Sequence, residues 1–249
     1  MKKIITLFSL LLLLLTSTAA RSLTSTADQQ LPSLTGPEVV TLGTKMPAFT
    51  LPTLQGTELS LVDYKGKRLL LIFPRGKVDD DWCQICHYQY AELVDFDQRT
   101  DFRAQHNIEI VFILPYPMAE VKEWSTLFPH QIQVIESWKN PKESASLSEG
   151  QKRFSRQVRE LLPHQFSYVA GEEIPLPFPI VVDANRTLAK RMGLFTTEWE
   201  GSKADQMVPT VFLLDESGVV QFKYYSQSSF DRPHPTYLKN YLTKIMTDK

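Results

Sequence analysis

Two almost continuous apolar runs constrain the fold of this chain more than any other feature. They occupy residues 69–73 (Leu-Leu-Leu-Ile-Phe) and 108–114 (Ile-Glu-Ile-Val-Phe-Ile-Leu), and each has the length of a β-strand. An alternating pattern would indicate a strand with one wet face, whereas continuous apolar character is typical of strands covered on both faces. The stretch between them, about residues 83–105, places apolar residues at helical spacing. Strand, helix and strand predict a βαβ unit with a right-handed crossover.

The remainder of the chain predicts further elements around this unit. Strands are predicted at residues 178–182, 210–214 and 219–225, and helices at residues 148–162, 185–192 and 237–246. The turn at residues 215–218 predicts an antiparallel hairpin between the last two strands, so the sheet is expected to be mixed. Residues 130–175 do not fit a minimal version of this plan and predict an insertion inside one domain. The pattern as a whole indicates a three-layer α/β fold, with a central mixed sheet between flanking helices.

The first twenty residues have the composition of a secretory leader. Lys2 and Lys3 precede an apolar run over residues 4–15, and small residues follow it. The run is shorter than the roughly 20 residues that a membrane-spanning helix needs, so we expect a signal peptide at residues 1–20. Residues 21–42, rich in Ser, Thr and Gln, predict a flexible tether ahead of a domain at 43–249. We therefore expect a periplasmic or secreted protein that meets a membrane only through an uncleaved leader.

Charge and cysteine content exclude several classes of function. The 249 residues contain 27 Lys and Arg against 28 Asp and Glu, so the chain has no charge excess with which to bind nucleic acid. With two cysteines, the chain cannot be a disulfide-stapled scaffold and cannot build a four-cysteine zinc site.

Both cysteines lie in one Cys-x-x-Cys motif, Trp82-Cys83-Gln84-Ile85-Cys86-His87, where the predicted helix begins. Free N–H groups and the positive end of the helix dipole stabilise a thiolate at such a position. We therefore expect Cys83 to have a lowered pKa and to be the attacking sulfur. Cys86, one turn further on, is expected to resolve a mixed disulfide formed on Cys83.

Three other interpretations of the motif stay open. A structural disulfide would close only a very short loop and would constrain little chain entropy. A zinc site would need two further ligands from scattered histidines and carboxylates. The sequence Cys-x-x-Cys-His also matches the attachment motif of c-type haem, although here it lies between two predicted strands and not in a small helical domain.

The polar neighbours of the motif carry their own expectations. Asp79, Asp80 and Asp81 are expected to face water and to cap the helix, because aspartate is favoured at helix N-termini. His87 follows Cys86 directly, so on a helix it is expected to face away from that sulfur and towards solvent.

Several segments together resemble a known family. Residues 46–52, 56–61 and 64–68 resemble the entry to the redoxin branch of the thioredoxin-like superfamily, the alkyl hydroperoxide reductase and thiol-specific antioxidant family. Residues 73–76 with the Trp-Cys-x-x-Cys motif resemble its peroxiredoxin-like members. Residues 208–210, ahead of 212–215 and Gly218, resemble the segment where thioredoxin-like proteins place a cis-proline opposite the active cysteine. The resemblance covers about residues 43–128 and 177–246.

This resemblance implies a docking groove beside the cysteines. Trp82 and Pro209 would shape the groove, and a cis bond at Pro209 would leave the backbone of Val208 free to pair with an incoming peptide strand. The simpler alternative is that Pro209 starts an edge strand, where a missing N–H costs nothing. Arg75 is either a cation near the active thiol or a surface loop residue.

Two positions depart from the family patterns. Asp80 stands three residues before Cys83, where peroxidatic sites carry a threonine. Gln89 stands three residues after Cys86, where reductases of the cytochrome-maturation type carry a glutamate, so no general base is assigned.

We expect a thiol-disulfide oxidoreductase that exchanges electrons with protein disulfides and with a redox partner protein. Its redox group would be the Cys83–Cys86 disulfide, with no metal and no other cofactor. The first alternative is a peroxiredoxin-like peroxidase, an antioxidant enzyme in which Cys83 attacks a peroxide and Cys86 resolves the sulfenic acid. The others are a c-type haem electron carrier and a redox-inactive binding module.

Overall fold

The computed structural model describes residues 40–142, 146–166 and 173–247. The predicted signal peptide at 1–20 and most of the predicted tether, residues 21–39, lie outside the described residues. The folded part includes Val40, which is only 4% exposed and packs in the core ahead of the predicted start at residue 43. None of the helices in these ranges is both long and apolar enough to cross a bilayer.

The strands are β1 Thr50–Pro52, β2 Glu58–Ser60, β3 Arg68–Phe73, β4 Lys77–Val78, β5 Asp81–Trp82, β6 Ile108–Leu114, β7 Ile180–Val182, β8 Phe195–Thr196, β9 Gln206–Met207, β10 Thr210–Leu214 and β11 Val220–Tyr225. The helices are α1 Gln84–Thr100, α2 Phe102–His106, α3 Met118–Thr126, α4 Phe128–Lys139, α5 Glu149–Leu161, α6 Thr187–Arg191 and α7 Pro235–Thr247, with a short 3₁₀ helix at Leu61–Tyr64.

The central sheet has five strands in the order β11-β10-β3-β6-β7. Strands β3, β6 and β7 run parallel, while β10 is antiparallel to β3 and β11 is antiparallel to β10. The two apolar runs singled out in the sequence are the two innermost parallel strands, with Leu70 opposite Ile110. The predicted mixed sheet is therefore confirmed, and continuous apolar character did mark strands buried on both faces.

Alternate residues of β3 enter two separate cores. Leu70 and Ile72 pack with apolar residues of α1, α4 and α7 on one face of the sheet. Leu71 and Phe73 pack on the other face with Leu188 of α6 and with the chain that precedes β3. Because a strand sends successive side chains to opposite faces, the sheet lies between two covering layers, and the predicted three-layer α/β fold is confirmed.

The connection from β6 to β7 is much longer than a crossover requires, because it carries α3, α4 and α5. Helix α5 corresponds to the helix predicted at residues 148–162. It begins with a capping box, in which the Ser148 hydroxyl accepts the Gln151 N–H and the Gln151 side chain accepts the Ser148 N–H. The extra segment packs on α1 through α4, and its helices begin before residue 130, where the sequence placed the start of the insertion.

Chain segments that precede β3 cover part of each edge of the sheet. At the β7 edge, the Leu54 N–H donates to the Ile180 carbonyl at 2.8 Å. At the other edge, the Gly43 N–H donates to the Val220 carbonyl at 2.9 Å. Backbone groups that would otherwise be unpaired along the outer strands are thus partly satisfied by the chain itself.

Candidate active site

The two cysteines lie beyond the carboxyl end of β3, at the start of α1. A loop leaves β3, the short β4–β5 hairpin follows, and Cys83 then takes the N-cap position of α1 with an extended backbone (φ −63°, ψ 114°). Cys86 lies in the first turn, where its N–H donates to the Cys83 carbonyl at 3.1 Å. The helix that begins at the motif, which the sequence predicted, is therefore present.

The two thiols form a pair with unequal access to solvent. Both are free thiols, and each influences the pKa of the other. Cys83 is 9% exposed, whereas Cys86 is completely buried. Cys83 is therefore the less buried of the two cysteines.

The acidity of the pair differs from the prediction for Cys83. Its hydrogen bond with Cys86 and its burial raise the pKa of Cys83 well above the usual value. Burial also acts against ionisation of Cys86, but the hydrogen bond from Cys83, the charge of Arg232 and backbone hydrogen bonds from Gly76 and Arg75 lower the pKa of Cys86 to about 6. The prediction of a lowered pKa at Cys83 is thus wrong, because the donors converge on the deeper sulfur.

Arg232 is a member of the site that the sequence analysis missed. Its positive charge lowers the pKa of both Cys83 and Cys86. Its Nη1 donates to the backbone carbonyls of Ser228 and Asp231, whereas Nε and Nη2 are buried and have no hydrogen-bond partner among the described residues. No local pattern marks this arginine, since it follows β11 and lies far from the motif in sequence.

Tyr116 is a second residue that the sequence analysis missed. It follows β6 and is 4% exposed. Its ring contacts Trp82 edge-on, with the ring centroids 4.9 Å apart. Burial, and to a lesser extent the charge of Cys86, raises the pKa of Tyr116 to about 12. One sequence signal could have found it: ligand and catalytic groups gather where adjacent parallel strands end, and β6 lies beside β3.

Trp82 presents almost no surface to a docking partner. It is 3% exposed, and its Nε1 donates to the Glu123 carboxylate of α3 at 3.2 Å. The ammonium of Lys77 lies 4.8 Å from its ring. Trp82 could therefore shape a docking groove only through the residues that it supports, because its indole packs against Tyr116.

The Val208–Pro209 segment lies next to the site, but its backbone is already bonded. Among the described residues no peptide bond is cis, so the cis-proline expected at Pro209 is not present. The Val208 N–H donates to the Leu194 carbonyl at 2.9 Å, and the Pro209 carbonyl accepts the Ser226 N–H at 2.9 Å. Pro209 also precedes β10, an interior strand, so the edge-strand alternative is wrong as well.

Arg75 is neither a surface residue nor the cation beside the thiols. Its side chain is 9% exposed and donates to Gln206 at 2.8 Å and to Ser229 at 2.7 Å. It also stacks on Trp199, with its guanidinium carbon 4.9 Å from the ring centroid. The backbone of Arg75, rather than its charge, reaches Cys86.

His87 is completely buried, which contradicts the expectation that it faces solvent. Its Nδ1 lies 3.2 Å from the Cys83 carbonyl, and its Nε2 lies 3.0 Å from the Trp124 carbonyl. Burial lowers its pKa to about 4, so the ring is neutral at pH 7. Because both nitrogens face backbone carbonyls inside the core, His87 could ligate a haem iron only if the helix were displaced.

The remaining predicted residues divide into exposed and buried groups. Asp79, Asp80 and Asp81 are exposed on the β4–β5 hairpin, as expected, but no side chain caps α1 among the described residues. Gln89 is 3% exposed, and neither its amide nitrogen nor its oxygen has a hydrogen-bond partner in the described ranges. Within the same ranges no cluster of three or more His, Cys, Asp or Glu side chains is placed to hold a metal ion.

A family model described as Redoxin matches residues 41–239 of the chain. The chain belongs to the redoxin family. Thiol-based redox chemistry is the activity of this family, and the protein is accordingly an oxidoreductase of the thioredoxin-like superfamily. No curated protein matches the sequence at a significant level.

Solved structures support the fold of this redoxin. One is a cysteine-to-serine mutant of peroxiredoxin 6 from Arenicola marina, at 15% identity and a TM-score of 0.52, covering 83% of this chain and 74% of that chain. Another is AhpC from Mycobacterium bovis, at 14% identity and a TM-score of 0.52, covering 85% and 95%. At these identities the likeness concerns the fold, and the predicted thioredoxin-like architecture is confirmed.

Proposed function

We propose that this redoxin is a thiol-disulfide oxidoreductase that exchanges electrons with protein disulfides through Cys83 and Cys86. The observation that carries the proposal is the pair of free thiols in the first turn of α1, in which Cys83 keeps 9% of its surface exposed and Cys86 is completely buried. Such a pair is suited to a dithiol–disulfide cycle, because the second thiol can displace whatever the first has bound.

The cycle balances without any cofactor. The Cys83 sulfur, as thiolate, attacks one sulfur of the substrate disulfide; an S–S bond forms to Cys83 and one substrate thiolate leaves. Cys86, as thiolate, then attacks the Cys83 sulfur, which releases the second substrate thiolate and leaves a Cys83–Cys86 disulfide. The two thiol protons pass to the substrate sulfurs, so the substrate gains two electrons and the protein loses two. Reduction by a separate redox partner, or the reverse reaction, completes the cycle.

The shared anion of the pair supports this order of events. Arg232 and the backbone of Gly76 stabilise a negative charge between the sulfurs, and the proton of Cys83 can pass to Cys86 along their hydrogen bond as Cys83 attacks. We assign the first attack to Cys83 because it is the less buried residue of the pair.

A peroxidase is the second candidate, and Arg232 favours it. Its unpaired Nε and Nη2 could donate to the leaving oxygen of a peroxide bound at Cys83. Against this candidate, Asp80 stands where a hydroxyl donor would be needed and is exposed on the hairpin, where it cannot serve as one. The geometry of His87 argues against the haem carrier, because its ring is held inside the core.

The cellular setting is proposed from the leader at residues 1–20. Such a leader supports a location in the periplasm or outside the cell, with the membrane involved only if the leader is retained. The partners that we propose are proteins that carry disulfides or dithiols, because the proposed reaction exchanges electrons with such groups.

Trapping tests the dithiol cycle directly. Cys86→Ser should accumulate a mixed disulfide between Cys83 and a disulfide-containing protein, because the internal escape is removed. The matched variant Cys83→Ser should trap nothing, since Cys86 is buried. If only Cys83→Ser forms the adduct, the two roles are reversed.

Stopped-flow kinetics separate the two candidates. The reduced protein should reduce a protein disulfide faster than it consumes hydrogen peroxide or an alkyl hydroperoxide. A clear excess of the peroxide rate constant would overturn the oxidoreductase proposal in favour of the peroxidase.

A further inference from the structure

Tyr116 holds the loop that leads from β3 towards the cysteine motif. The loop connects β3 to β4 and includes Arg75 and Gly76. The hydroxyl of Tyr116 accepts the Lys77 N–H at 2.6 Å, directly after that loop. The ring is fixed in turn against Trp82, with centroids 4.9 Å apart. The phenol takes no part in the proposed thiol-disulfide exchange.

Gly76 fits only because it has no side chain. Its φ is +83°, a left-handed conformation that L side chains rarely adopt. A Cβ at this position would lie 2.3 Å from the Tyr116 hydroxyl oxygen and 2.5 Å from its Cε2. The backbone of Gly76 therefore packs directly on the phenol, and the two residues determine each other's position.

The backbone that Tyr116 positions is bonded to both cysteines. The Gly76 carbonyl accepts the Cys83 N–H at 3.0 Å. Backbone hydrogen bonds from Gly76 and Arg75 reach the Cys86 sulfur. A small displacement of this loop would lengthen those bonds, and hydrogen bonds to a charged acceptor weaken steeply as their geometry degrades.

We propose that Tyr116 is a positioning residue that holds the backbone of Gly76 against the Cys86 sulfur and so controls how much of the thiol pair is ionised at neutral pH. The inference rests on the proposed function in one respect: the ionisation of Cys83 and Cys86 affects the reaction only if the two thiols cycle between dithiol and disulfide. Tyr116 itself does not exchange a proton with the substrate.

Three other groups bear on the ionisation of Cys86. Cys83 faces it at the start of the same helix, Tyr116 faces it from the end of β6, and Arg232 faces it from the loop before α7. Replacing Tyr116 with phenylalanine leaves Cys83 and Arg232 in place and keeps the ring. A change in ionisation would then report the loss of the hydroxyl and of the loop position that it fixes.

The test compares Tyr116→Phe with a matched control, Tyr88→Phe. Tyr88 is 2% exposed, and its hydroxyl accepts a backbone N–H, that of His164 at 2.8 Å, within the segment between β6 and β7. The thiolate absorbance of each reduced protein is followed against pH. We expect the first ionisation of the pair to become about tenfold less favourable in Tyr116→Phe, as for the loss of one charge-assisted hydrogen bond. Tyr88→Phe should follow the wild type.

Every outcome decides for or against the proposal. A profile of Tyr116→Phe that superimposes on that of the wild type, or an equal shift in Tyr88→Phe, would overturn it. Should Tyr116→Phe not fold, hydrogen exchange in the wild type replaces it: a slowly exchanging Lys77 amide supports the contact, and a freely exchanging one refutes it. The titration uses no disulfide substrate, so a protein that reduces no disulfide would refute the proposed function and leave this result interpretable.

Discussion

Replacing Arg232 with glutamine should make the thiol pair less acidic and more strongly reducing. The guanidinium charge lowers the pKa of both sulfurs, and it lies beside two buried cysteines. An opposite charge at close range changes an acid dissociation constant by about tenfold to a thousandfold, and the partial exposure of Arg232 puts this case near the lower end. A tenfold change corresponds to about 1.4 kcal/mol of thiolate stabilisation.

The sign for the redox equilibrium follows from the same charge. Arg232 stabilises the thiolate, which exists only in the reduced protein, so it favours the dithiol over the disulfide. Its loss should lower the reduction potential by about 30 mV, the equivalent of 1.4 kcal/mol for a two-electron couple. The potential is measured by equilibration with glutathione buffers, and the ionisation by thiolate absorbance against pH.

A control variant removes the same charge elsewhere. Arg153 is exposed on α5, so Arg153→Gln should leave both the potential and the pH profile unchanged. The reasoning fails if Arg232→Gln keeps the wild-type potential, or if both variants shift it equally through net charge alone.

Three further predictions concern buried polar side chains of α1, each measured by urea unfolding. Burial raises the pKa of Glu92 to about 7 from an ordinary 4.5, so the free energy of unfolding should fall as the pH rises through about 7. Glu92→Gln should restore about 3 kcal/mol of that free energy at alkaline pH and none below pH 4.5. Burial lowers the pKa of His87 to about 4 from 6.5, so stability should fall as the pH drops from 6.5 through 4, and a His87→Phe variant that keeps this slope would contradict the assignment. Gln89→Leu should stabilise the protein by about 1–3 kcal/mol, because it removes two buried polar atoms without partners among the described residues; a loss of stability would show that they are bonded.

The central sheet was predictable because its strands carry their own pattern. Residues 69–73 and 108–114 are apolar at nearly every position, and burial of the strands on both faces accounts for that pattern. The place of the cysteine motif at the start of α1 was also predictable, because the neighbouring strand and helix patterns lie next to it in the sequence.

The surroundings of the motif were not predictable from local patterns. His87 was expected in solvent by helical geometry, but α1 is buried on all sides from Ile85 to Phe96, so the face opposite the sheet meets Trp124 and Phe128 of the extra segment. Arg232 comes from a loop that only the tertiary fold brings to the sulfurs. The backbone at Val208 and Pro209 is bonded to Leu194 and Ser226. These partners come from other parts of the chain, so no single segment reveals them.

The chain ahead of β3 also blocks the outer strands of the sheet from pairing with other molecules. Exposed outer strands invite pairing with other molecules, the usual route to edge-to-edge aggregation. Here Gly43 bonds to the β11 edge and Leu54 to the β7 edge, so one continuous segment obstructs strand addition on both sides. Removing this segment would expose both edges together. Resistance to aggregation in this redoxin therefore depends on a stretch of chain that lies outside the central sheet.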